Sequence, residues 1–310
     1  MTAFLALFPV FAMIAVGWLA RVTKLATPEG LVALNRLGYW IFYPAFLFSA
    51  VVKANFHGPQ AASFVAAIMV GFVVLGALAL ALKPLIRADG PAFTSVFQAG
   101  MRWNSFVLLA AASSLFGPQG AGLIALAFGP AIALVNLMCV AVLSRWGDGQ
   151  NSGKPIFLQI LRSLATNPLI LSCLAGLVVN FAGLKVPSLL DAPLDLLSKA
   201  AMTMALIGVG AGLTLNGILK APGLVAISSI LKLIIAPIVM GVSAIAFGVT
   251  GPAFLVAIAI GSTPTAAAAY VLAREMGGDA PLMASIVSFT TLLSMATMPV
   301  VLALASHWFG

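Results

Sequence analysis

The chain is poor in groups that carry acid–base chemistry. Its 310 residues include only seven Asp and Glu, two His and two Cys, and charged residues are 7% of the whole. The acids Glu29, Asp89, Asp148, Asp191, Asp195, Glu275 and Asp279 all fall between apolar runs or at their ends. A membrane-embedded enzyme needs His, Asp, Glu or a Ser/Lys pair at membrane depth, and no such constellation occurs. Catalysis is therefore not expected. A signalling receptor is not expected either, because no soluble effector domain follows the last apolar run. Cys139 and Cys173 lie inside apolar runs and read as small packing residues, so no disulfide, metal site or cofactor is implied. Lys and Arg outnumber the acids to give a net charge of +8, but they occur singly rather than as a basic stripe, which argues against nucleic acid as a partner.

What the chain has in excess is apolar surface. Hydrophobic residues make up 62% of it, more than one soluble core can hide, so an integral membrane protein is indicated. The runs last about 20 residues, the length of a spanning helix rather than of a barrel strand, and the fold class is all-α. Ten transmembrane helices are predicted at roughly 3–20, 30–52, 61–82, 92–116, 120–144, 165–183, 194–215, 222–248, 252–274 and 281–308. The first lacks a basic leader and reads as a retained span, not a cleaved signal.

With both termini outside the cytoplasm, the cytoplasmic connections hold Arg21, Lys24, Arg36, Lys83, Arg87, Arg145, Lys154, Arg162, Lys220 and Arg274, against Lys53, Lys185 and Lys199 on the other face. This asymmetry favours that orientation in a cell (inner) membrane. The longest connection, "SRWGDGQNSGKPIFLQILRS", separates two sets of five spans, 1–150 and 151–310. Five is odd, so a second half built like the first is inserted upside down: a 5+5 inverted repeat, the plan of many secondary transporters. An offset of 160 lays the fourth span over the ninth, with Asn104 opposite Pro264.

Both of those spans carry a polar interruption. In the fourth it is "RWNSF", Arg102 to Phe106; in the ninth it is "GSTPT", Gly261 to Thr265. Pro264 lacks an amide hydrogen and disfavours helix at Thr263. Paired breaks in corresponding spans point to a transporter's binding site, with helix N-termini aimed at the solute. A guanidinium at the bilayer centre costs about 2.5–3.5 kcal/mol on insertion scales, and no intramembrane acid is available to offset it. The solute itself then supplies the counter-charge, which suits a small organic anion. Candidate substrate-binding residues are Asn104, Arg102, Ser105, Thr263, Pro264, Thr265 and Lys232. Each has an alternative role: Arg102 bonding backbone carbonyls, Lys232 neutralising carbonyls freed by Pro237, Asn104 bridging helices, and the hydroxyls permitting close packing. Pro44 and Pro299 read as kinks, Trp18, Trp40 and Trp308 as interfacial anchors, and His57 and His307 as solvated residues near the outer ends.

At these residues the sequence resembles the auxin efflux carrier family, which includes bacterial proteins described as malonate transporters and the plant PIN exporters. The matching stretches are "ALNRLGYWIFYPAFLFSAV", "FQAGMRWNSFVLLAAASSLFGPQGAG", "PAIALVNLMCVAVL", "LKLIIAPIV" and "STPTAAAAYVLAREMGGDAPLMASIVSFTTLLSMATMPVVL". The resemblance implies fourth and ninth spans that are broken and cross at the midplane. It also implies scaffold and transport domains each drawn from both repeats, a substrate carboxylate near Asn104, and a homodimer formed through the scaffold. The short central loop departs from the plant pattern, so regulation through a long cytoplasmic segment is not carried over. The expected function is alternating-access transport, secondary active or facilitative, of a small carboxylate such as malonate. The alternative is a sodium-coupled symporter of the bile acid carrier type, in which Gln98, Asn104, Thr263 and carbonyls supply oxygen ligands.

Overall fold

A computed structural model describes residues 2–53, 60–116, 120–148, 165–214 and 218–309. The described residues are helical almost throughout, with no strand among them. In chain order the helices are α1 (Thr2–Val22), α2 (Pro28–Leu37), α3 (Tyr43–Val52), α4 (Ala61–Ala81), α5 (Gly90–Met101), α6 (Ser105–Phe116) and α7 (Gly120–Trp146). They continue as α8 (Pro168–Phe181), α9 (Ser188–Gly212), α10 (Pro222–Ile230), α11 (Ala236–Ala246), α12 (Gly251–Ser262), α13 (Ala268–Glu275) and α14 (Ala280–Phe309). Among the described residues, seven helical stretches are long and apolar enough to cross a membrane, and α8 and α12 are shorter apolar helices. The connection at 149–164, with Lys154 and Arg162, lies outside the described residues, as do His57 and the side chain of Trp308.

Helix starts follow local chemistry. Thr27, Asp89 and Asn167 cap α2, α5 and α8 through their side-chain oxygens, which accept from the amides of Gly30, Ala92 and Leu169 at 3.1, 2.8 and 2.9 Å. A proline follows each cap in the first turn, where its missing amide hydrogen costs nothing. The helix of the seventh predicted span begins at Ser188 rather than near 194, and so contains Pro193. Only one bond near the helix start is lost at Pro193, and it is the one that would reach Leu189, which is 84% exposed.

Two prolines deeper in helices are absorbed by widening the turn. A π-helical segment, Gly38–Phe42, ends two residues before Pro44, and a second, Leu231–Ile235, ends two residues before Pro237. The wider turn relieves the clash of the ring with the carbonyl four residues back, so the expected kink at Pro44 takes the form of a π-bulge. Pro299 sits inside the continuous helix α14.

The chain forms two compact units, each drawn from both halves of the sequence. The first comprises Met1–Ala61, Phe106–Gly129 and Ser163–Gly212. Within it α1 packs on α9 backbone to backbone: a Cβ added at Gly17 would lie 2.8 Å from the Ile207 carbonyl carbon, and one at Gly210 2.7 Å from that of Ile14. Asn180 on α8 donates its amide to the Val52 carbonyl, 2.8 Å away at the end of α3. The second unit comprises Ala62–Ser105, Pro130–Arg162 and Leu213–Gly310. Ala92 and Ala99 of α5 pack there with Val225 of α10 and with Leu282 and Ile286 of α14. Ser243 of α11 donates to the Ala67 carbonyl of α4 at 2.7 Å.

Candidate functional site

The second unit brings two helix interruptions together. Helix α5 stops at Met101, Arg102 turns extended (φ −84°, ψ 127°), and α6 begins at Ser105. Helix α12 stops at Ser262, Thr263 is extended (φ −65°, ψ 153°), and α13 begins at Ala268. The Thr263 conformation is what a residue preceding proline prefers. No proline or glycine stands at 102–104, so the first interruption has a different origin. The Asn104 amide, instead of returning to its own helix, donates to the Pro264 carbonyl at 2.9 Å.

The exchange is reciprocal. The Thr265 hydroxyl donates to the Ala99 carbonyl of α5 at 3.0 Å, and the Thr265 amide donates to the Thr290 hydroxyl of α14 at 3.3 Å. Pro264 has no amide hydrogen to give to the Ile260 carbonyl, and the Thr263 hydroxyl donates there instead at 2.9 Å. Two backbone gaps that would be costly in an apolar interior are thus filled by two threonine hydroxyls. Thr263 and Thr265 are fully enclosed, Asn104 is 3% exposed, and Ser105 and Pro264 are buried.

Arg102 is half-buried and keeps its amide bonded to the Gln98 carbonyl at 2.8 Å. Its Nη2 donates to the side-chain oxygen of Asn136 on α7 at 2.7 Å. The two ion pairs among the described residues, Lys53–Asp191 and Lys199–Asp195, lie on exposed side chains, so neither Arg102 nor Lys232 faces a described acid. Lys232 is 1% exposed on the second π-helical segment, which packs against α5, α12 and α14. Two glycines hold that segment close: a Cβ at Gly100 would meet the Leu231 side chain at 2.6 Å, and one at Gly261 the Pro237 Cα at 2.6 Å.

Of the residues singled out from sequence, Asn104 and Pro264 bond each other directly. Arg102, Ser105, Thr263 and Thr265 flank that bond, and Lys232 lies on a neighbouring segment of the same unit. Asn136, Thr290 and the Ala99 carbonyl were not anticipated. Asn136 carried a readable signal, an amide in the otherwise apolar stretch "ALVNLM". Among the described residues no group of His, Cys, Asp and Glu could hold a metal ion.

A helical protein with several stretches of membrane-crossing length and a buried, donor-rich polar centre falls in the class of membrane transporters. Comparison with known sequences gives the family. The chain belongs to the auxin efflux carrier family, whose profile, described as "Membrane transport protein", matches residues 2–302. The family consists of transporters, not enzymes. A Rhizobium meliloti protein named "Putative malonate transporter" is 26% identical over 303 residues, covering 94% of this chain and 92% of its own length. An "Uncharacterized transporter" of Methanothermobacter thermautotrophicus is 23% identical over 292 residues, covering 94% of each. "Auxin efflux carrier component 3" of Arabidopsis thaliana is 27% identical over 146 residues, which is 45% of this chain but 23% of that longer protein.

Proposed function

We propose that the protein carries a small carboxylate across the membrane by alternating access, and that the solute binds where the two interruptions meet. In this reading the ten predicted spans form a 5+5 inverted repeat, and α5–α6 and α12–α13 are broken spans that cross at the midplane. The two compact units correspond to a scaffold, which also forms a homodimer, and a transport domain. Both termini lie outside the cytoplasm. The observation that carries the reading is the bond from the Asn104 amide to the Pro264 carbonyl, beside a guanidinium whose partner is a neutral amide. Backbone broken at membrane depth is tolerated where it lines a cavity, and an uncompensated cation there favours an anionic solute. Arg102 and Lys232 supply charge, while Asn104, Ser105 and the segment Thr263, Pro264 and Thr265 shape the site and orient the carboxylate. The name of the Rhizobium relative makes malonate the first solute to test. A sodium site is less suited to this centre, because sodium favours carboxylate oxygens and the nearest charged group is cationic.

The test is uptake of radiolabelled malonate into proteoliposomes. Wild type should accumulate label above protein-free vesicles, unchanged chemically, and Asn104→Ala should abolish uptake while remaining folded and inserted. Uptake by Asn104→Ala equal to wild type would remove the interruption from the solute path.

A further inference from the structure

The inward side of α5 carries buried polar atoms without partners, on Gln98 and on Arg102, of which the carrier reading uses only the Arg102 charge. Gln98 is fully enclosed, and neither its Nε2 nor its Oε1 has a hydrogen-bond partner. Arg102 follows one helical turn later, and its buried Nε also has none. Residues four apart share a helix face, and the 2.8 Å bond from the Arg102 amide to the Gln98 carbonyl keeps that stacking although Arg102 ends the helix. Three unpartnered polar atoms therefore belong to side chains that leave α5 one turn apart, within a single unit.

Buried polar atoms without partners are rare in folded proteins and call for an ordered water or ion. The charge at this place decides between the two. Arg102 donates to the neutral Asn136 amide and faces no described carboxylate. A water would fill hydrogen bonds but leave the cation uncompensated, whereas a small anion accepts from the two donors and compensates the cation, leaving only the Gln98 Oε1 outside the contact. Gln98 Nε2 and Arg102 Nε are both donors, as an anion requires. Gln98 lies about 6 Å along α5 from the interruption, at 1.5 Å per residue, and is completely enclosed, which suits a monatomic ion better than a carboxylate solute. We infer that the inward face of α5 binds a halide, chloride under physiological conditions, through the Gln98 side-chain amide and the Arg102 Nε–H. This inference shares Arg102 with the carrier reading: with a halide there, buried Lys232 is left as the cation for the solute, and the bromide peak and malonate uptake can each fail without the other.

Chloride titrated against gluconate at constant ionic strength should raise the melting temperature of the full-length protein in detergent by a few degrees, saturably. Gln98→Leu should lose that rise. Crystals soaked in bromide should show an anomalous peak between Gln98 and Arg102, a measurement that stands even if the variant does not fold. A salt response that is the same in wild type and Gln98→Leu, or crystals with only water at this place, would overturn the assignment.

Discussion

Thr265→Val deletes one hydroxyl and keeps the side chain's shape, so its cost reads directly how the two interruptions hold each other. The deletion takes the 3.0 Å donor from the Ala99 carbonyl, and because Thr265 is 0% exposed no solvent replaces it. An orphaned buried acceptor costs about 1–3 kcal/mol in soluble proteins, while interhelical hydrogen bonds in a membrane average about 0.6 and reach about 1.7 kcal/mol. The Ala99 carbonyl belongs near the upper end, since the residue four positions on, Trp103, lies outside the helix. The expected loss is about 1–2 kcal/mol, measured by equilibrium unfolding in mixed micelles followed by tryptophan fluorescence. Ser262→Ala is the control. Its hydroxyl also bonds a carbonyl, that of Ile258 at 2.8 Å, but within its own helix, where the Ser262 amide already serves that carbonyl. The control should change stability by less than about 0.5 kcal/mol. Equal effects of the two substitutions would refute the view that Thr265 closes a gap in α5.

Two other perturbations probe the same centre. Arg102→Gln should raise the KM for malonate far more than Arg87→Gln does, and Asn136→Leu should raise it roughly 10-fold at unchanged net charge, because the guanidinium loses its 2.7 Å acceptor; concentration-dependent uptake in proteoliposomes checks all three. Gly261→Ala should destabilise the protein by about 1–3 kcal/mol, since the new Cβ meets the Pro237 backbone at 2.6 Å where neither helix can yield cheaply; a drop in melting temperature measures it.

How much of this was legible in the sequence depended on whether its cause was local. The helix starts at Pro28, Gly90 and Pro168 follow from Thr27, Asp89 and Asn167 with a proline in the first turn, and each is readable within four residues. The extended Thr263 is likewise a property of the Thr–Pro pair. The extended stretch at 102–104 is not, because nothing in Arg102, Trp103 and Asn104 forbids helix. Only their polarity marked the place, and its cause is a carbonyl 160 residues away in sequence. The π-helical segments escaped for a related reason. Pro44 and Pro237 say that a helix must deform, but not whether it bends or widens. Asn136 was visible as an amide in an apolar run, yet its partner was not, since a capping or bridging role fits the same residue equally well.

That difference in origin has a consequence for how a carrier of this kind works. The interruption at 263–265 persists whatever surrounds it, because proline enforces it and the Thr263 hydroxyl satisfies the freed carbonyl from within the same segment. The interruption at 102–104 has no proline or glycine of its own, and its Asn104 amide is bonded to the Pro264 carbonyl of the other segment. The proline-containing segment therefore acts as the template and the arginine-containing one as the dependent partner, so the orientation of Arg102 follows from a bond made outside its own helix. If the solute binds as proposed, at the Asn104 side chain and the Arg102 charge, it would bear on the dependent segment first. The fixed segment, tied to α14 through Thr290 and to α5 through Ala99, would then carry the displacement into the rest of the unit.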